Sequence, residues 1–126
     1  MSVGIIFFIL FALFFKHVII DFPLYVGQTD RPRQSHSIRL WAFHILLHGL
    51  ATFFILYLIS VPVLICSLFA LIDTAIHSVV DYAANYFYKR YKTDAAFENK
   101  FHWVVELDQY LHCLTYVSIT FLLIFL

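Results

Sequence analysis

Asp73-Thr-Ala-Ile-His77-Ser-Val-Val-Asp81 decides how the rest of the chain is read. Three ionisable side chains recur every fourth residue inside a long apolar run. Four residues of α-helix advance about 400°, so Asp73, His77 and Asp81 project from one face. In a soluble amphipathic helix the polar stripe meets water and the apolar stripe is hidden. Here the apolar side is by far the wider, so the polar stripe is the one to be hidden. That inversion predicts a membrane helix with a functional inner face.

Working outward, similar spacings recur in every apolar segment. His17-x-x-x-Asp21 closes the first, His44-x-x-x-His48 lies in the second and Asp108-x-x-x-His112 in the fourth. The expected spans are residues 3–22, 38–59, 61–88 and 101–124 of a single transmembrane domain, an all-α integral membrane four-helix bundle. Pro23 is expected to end the first helix, because the residue before a proline is pushed out of helical dihedrals. Ser60-Val61-Pro62 predicts a tight turn joining the second and third spans. Ser35 or Ser37, and Thr93 or Asp94, are the expected caps after the two polar connections. The late Lys16, His17 and Asp21, with no small-residue cleavage site after them, argue against a cleaved signal peptide.

The composition agrees. The 126 residues are 63% apolar, 20% aromatic and 13% charged, with a net charge of zero. Soluble domains average about 45–50% apolar and about 25% charged. Neutral charge argues against nucleic acid as the main partner, because nothing here displaces counterions along a phosphate backbone. Cys66 and Cys113 both fall in expected spans and form no Cys-x-x-Cys site.

Arg31, Arg33, Arg39, Lys89, Arg90, Lys92 and Lys100 all belong to the two polar connections and their flanks. By the positive-inside rule those connections are cytoplasmic and both termini lie outside. Trp41, Trp103 and the tyrosines at 82, 86, 88 and 91 cluster towards the same interface as an aromatic belt.

Four antiparallel spans then bring nine groups to one half of the bilayer: His17, Asp21, His44, His48, Asp73, His77, Asp81, Asp108 and His112. Each intramembrane aspartate costs about 2.5–3.5 kcal/mol on insertion scales, so something compensates. Divalent metal is the favoured answer, zinc first with iron or manganese as alternatives, and two ions would offset all four carboxylates. All nine are candidate ligands, His17 and Asp21 being ligands or partners that orient them. A carboxylate left off the metal, Asp21 or Asp108, is the candidate general base to a bound water. A proton relay and plain His–Asp pairing are the other readings.

Glu98, His102 and Glu106 fall on another face of the fourth helix, and His36 lies in a connection. Gln28, Thr29, Asp30, Arg31 and Arg33 stand near the mouth of the site as a topology-setting loop. Gln109 is placed to hydrogen-bond a neighbouring helix.

His17-Val-Ile-Ile-Asp21-Phe-Pro-Leu, the His44/His48 pair, His77-x-x-x-Asp81 and Leu107-Asp108-Gln109-x-x-His112 resemble a domain-of-unknown-function family of small phage and bacterial membrane proteins. The resemblance implies a phage or bacterial origin and the bacterial inner membrane, and supplies no activity. In motif style the chain is also distantly similar to bacterial membrane-bound metal-dependent hydrolases. The expected function is hydrolysis by metal-activated water of a lipid or other small molecule reached from the cytoplasmic side. Proton or metal-ion transport and a phage lysis or exclusion factor are the alternatives. A homo-oligomer is compatible with so small an enclosure.

Overall fold

The structure is a computed structural model that describes residues 1–25, 38–91 and 97–126; of residues 22–25, 40, 88, 89, 91 and 97–101 only the backbone is described. It contains four helices among the described residues: α1 (Val3–Tyr25), α2 (Ile38–Leu58), α3 (Val63–Tyr91) and α4 (Phe97–Ile124). Each has a segment long and apolar enough to cross a membrane. Their outer faces are phenylalanine, leucine, isoleucine and valine, such as Phe7, Phe11, Leu46, Leu64 and Leu71. In bilayer hydrocarbon those side chains need no cover, and each helix satisfies its own backbone hydrogen bonds. The bundle is all-α and multi-pass.

Each helix packs on its neighbours in the chain, and α1 closes the ring against α4. The diagonal pairs do not touch through their backbones, so side chains alone fill the centre. α2 and α3 are in close contact at Gly49, where an added Cβ would strike Thr74 Oγ1 and come within 3.1 Å of the Ala70 carbonyl. Small residues permit such contact between membrane helices, where dispersion forces replace the hydrophobic drive.

The α2–α3 turn is a Schellman motif. Ser60 N–H donates to the Tyr57 carbonyl at 3.0 Å and Val61 N–H to that of Leu56 at 3.2 Å. Ser60 sits in the left-handed region at φ 65°, a place usually held by glycine. Val61 packs back onto the cluster that contains Leu56. Pro62 cannot continue α2, and its carbonyl instead accepts the Cys66 N–H of α3 at 2.9 Å.

The bounds of two helices, α1 and α3, differ from expectation. α1 continues through Pro23 to Tyr25, because a proline this near a helix end forfeits one intrahelical bond and leaves the last turn intact. α3 starts at Val63 and runs to Tyr91, past residue 88. The expected caps at Ser35, Ser37, Thr93 and Asp94, the loop residues 28–33 and His36 lie outside the described residues.

The interior is layered along the bundle axis. One half is hydrocarbon: Ile9, Leu13, Leu56, Cys66, Phe69, Ile119 and Leu123 form a continuous buried cluster, with Tyr116 at its edge. The next layer holds Lys16, Thr52 and Asp73. Beyond it lie His17, His48, His77 and His112, and then Asp21, His44, Asp81 and Asp108. These are single stripes at near-constant spacing of four, such as 9-13-17-21 in α1 and 44-48-52-56 in α2. The stripe that packs the core in one half carries the ionisable groups in the other.

Candidate metal centre

Asp21 organises one side of the site. Its Oδ1 lies 3.1 Å from His48 Nε2 and 3.2 Å from His44 Nε2. His44 Nε2 is in turn 3.2 Å from His77 Nε2. Two imidazole nitrogens at that distance share at most one hydrogen bond, and a carboxylate oxygen contributes no proton. Ligands each about 2.0–2.2 Å from a single zinc ion are separated from one another by a little over 3 Å. The three separations just given have that length, one ligand atom from each of Asp21, His44, His48 and His77 lies within 4.8 Å of the others, and all four residues are buried.

The Nδ1 atoms of His48 and His77 are buried without a hydrogen-bond partner among the described residues. Leaving a buried polar atom unpaired costs about 1–3 kcal/mol. Both rings are thus turned so that Nε2 faces the acidic centre at the expense of Nδ1. The two rings stack with centroids 3.7 Å apart, and His77 lies 4.1 Å from His112.

A second group forms between α3 and α4. Asp81, Asp108 and His112 bring one ligand atom each within 4.8 Å of one another. His112 Nε2 is 3.5 Å from Asp81 Oδ1 and 3.6 Å from Asp108 Oδ1. Asp81 also joins the two groups, since its Oδ2 is 3.5 Å from His77 Nε2 and 3.7 Å from His44 Nε2. The side chains of Asp21 and Asp81 are 11% and 15% exposed, whereas the five histidines range from 0 to 9%. Among the described residues, accessible surface thus reaches the centre chiefly at these two carboxylates.

His17 has a determined hydrogen-bond role. Gln109 Nε2 donates to Asp108 Oδ2 at 3.0 Å, which turns Gln109 Oε1 towards His17 Nε2 at 3.1 Å. An amide oxygen only accepts, so His17 carries its proton on Nε2. His17 Nδ1 then accepts from the Tyr116 hydroxyl at 3.0 Å. The Nε2 proton also faces Asp21 Oδ2 at 3.2 Å, leaving Asp21 Oδ1 turned to His44 and His48. Tyr116, His17 and Gln109 thus hold Asp21 and Asp108 in place. His17, His77 and His112 also gather within 4.8 Å, a group that includes no carboxylate.

Asp73 stands apart from the other eight candidates. It pairs with the Lys16 ammonium and accepts the Thr52 hydroxyl at 2.6 Å. Lys16 Nζ also donates to the His48 carbonyl at 3.1 Å and lies 4.8 Å from the centre of the Tyr116 ring. Two buried charges neutralise each other here, beneath the histidine layer.

Gln109 reaches a neighbouring helix as its position suggests, and Glu106 and His102 face outward. Lys16, Thr52 and Tyr116 are the members that motif spacing passed over. One more step of four from His48 reaches Thr52, and one from His112 reaches Tyr116. Lys16 was visible as a lysine within an apolar run, adjacent to His17. No family model, curated protein or solved structure matches the chain.

Proposed function

We propose that the protein is an intramembrane metal-dependent hydrolase. The observation that carries this is the convergence of three carboxylates and four imidazoles at 3.1–3.7 Å in a buried centre. Asp73 pairs with Lys16, while Asp21, Asp81 and Asp108 face imidazoles, which carry no charge when they bind a metal. Two divalent ions and one hydroxide achieve neutrality. Imidazole favours zinc, iron or manganese over magnesium, which prefers oxygen ligands.

In this reading Asp21, His44, His48 and His77 hold one ion, and Asp81, Asp108 and His112 hold or face a second. His17 is a positioning residue, and Asp73 is the counterion of Lys16. Metal bound there would activate water near neutral pH and polarise the scissile bond. Asp108, held by Gln109, would take the proton from the attacking water. As the water oxygen bonds to the acyl carbon or phosphorus, the bond from that atom to the leaving oxygen breaks, and the leaving oxygen takes the proton from Asp108. One copy of the chain contains every group required.

Arg39 and Arg90 are exposed at the end of the bundle nearest Asp21 and Asp81, together with exposed Trp103, Tyr82 and Tyr86. That supports a site open to the cytoplasmic face of a bacterial inner membrane, as the likeness to small phage and bacterial membrane proteins implies. The hydrocarbon half argues against a transmembrane proton or ion path, because Ile9, Leu13, Leu56, Phe69 and Ile119 offer no polar step and the buried Thr120 hydroxyl is bonded to the Tyr116 carbonyl of its own helix at 2.8 Å.

Elemental analysis of detergent-purified protein tests the reading. His48→Ala and Asp81→Ala are expected to insert normally and to lose bound metal together with hydrolytic activity. Full metal content in both variants overturns it.

A further inference from the structure

The seam between α3 and α4 carries a groove of about 310 Å³ on its bilayer-facing side. Its floor is Phe69, Val80, Thr115 and Ile119, all buried, and its rims include Ile76 and Leu114, both exposed. The Thr115 hydroxyl donates to the Leu111 carbonyl at 2.9 Å, so the floor presents carbon rather than an open polar group. At the helical rise, Phe69 to Val80 spans about 16 Å.

The groove runs towards the second ligand group. Val80 precedes Asp81 and Leu111 precedes His112, so its upper end borders the level at which Asp81, Asp108 and His112 converge. The lower end lies at the Phe69 and Ile119 layer, deep in the hydrocarbon half.

We propose that this groove holds one acyl chain of a bilayer lipid, its methyl end near Phe69 and its polar end at Asp81, Asp108 and His112. The substrate class is then an acyl lipid with its scissile bond at the head of the seam. As a statement about turnover this rests on the metal-dependent reading; as a statement about binding it does not. The direction matches a lipid lying along the membrane normal, head group at the open end of the site. The length favours a single acyl chain: about 16 Å is roughly half of the ~30 Å hydrocarbon core, the depth of one leaflet, whereas a partner helix would pack along the full thickness.

The test is photolabelling of the full chain in nanodiscs by a phosphatidylglycerol carrying a diazirine midway along one acyl chain. Adducts are expected to concentrate on the Ile76 and Leu114 peptides over those holding Phe43 and Leu46, exposed on α2. Ser118→Trp, which fills the groove, is expected to cut that labelling by about tenfold while bound metal per chain stays constant. Ser118→Ala is expected to label as the unsubstituted chain does. Labelling spread evenly over the outer faces of all four helices overturns the proposal, as does a cross-link from the groove to a second copy. If Ser118→Trp fails to insert, the map of the unsubstituted chain decides alone. Even labelling of a metal-loaded protein defeats the groove and leaves the metal reading standing. Groove labelling with full metal in His48→Ala defeats the metal reading instead.

Discussion

Lys16 and Asp73 form a charge pair 57 residues apart in sequence, sealed under the histidine layer. Breaking a buried pair by removing one partner costs about 3–5 kcal/mol, because the survivor stays charged and unmatched. Lys16→Met alone is therefore expected to destabilise the bundle by about that amount in detergent unfolding. Lys16→Met with Asp73→Leu is expected to cost less than Lys16→Met alone. A double variant at least as damaged as the single would show that the pair does not act as a unit. Tyr116→Phe addresses the positioning chain. It removes the proton that His17 Nδ1 accepts, and with it the constraint on which nitrogen faces Asp21. Metal affinity measured by chelator competition is expected to fall by about 10–100-fold, with stability lowered by about 1 kcal/mol. Unchanged affinity would remove His17 from the site's support. The nine site candidates were legible because each breaks an apolar run at a spacing of four. Tyr116 and Thr52 were not, since an aromatic or a threonine in a membrane helix is no anomaly until its partner is seen. That Asp73 pairs with Lys16 rather than with the other eight depends on helix rotation, which spacing within one helix does not fix.

At the scale of the element, helix number and position followed from hydropathy, and the ends were less readable. Pro23 is a strong stop in isolation, yet within one turn of a helix end its cost is a single bond. The α2–α3 turn was legible as a turn, but the left-handed Ser60 was not, because serine carries no preference for that conformation. An L-residue in the left-handed region costs about 1–2 kcal/mol relative to glycine. Ser60→Gly is therefore expected to stabilise the hairpin by about 1 kcal/mol, part of the gain being lost to the freer unfolded chain. Thermal unfolding in detergent measures it; a lowered midpoint would mean that the Ser60 side chain does more than occupy the turn.

Across the whole molecule, three buried or nearly buried carboxylates that face imidazoles make the interior depend on what neutralises it. A ligand at 100 times its dissociation constant adds about 2.7 kcal/mol to stability. Chelation is thus expected to lower the melting midpoint, and zinc to restore it where magnesium does not. The same shift is expected to shrink as the pH falls, because imidazole and carboxylate bind metal only when deprotonated, so protons compete for the site. A midpoint indifferent to chelator at neutral pH would count against a bound ion. The Lys16–Asp73 pair also has a consequence in time. Lys16 leaves the ribosome 57 residues ahead of the carboxylate that neutralises it. At about 5–20 residues per second that is a delay of roughly 3–11 s, many times longer than helix formation itself. Throughout it, the α1 ammonium lacks the carboxylate it finally pairs with, and Asp21, five residues further along the same helix, is the acidic group made next after it. The first helix cannot take up its final pairing until the third arrives.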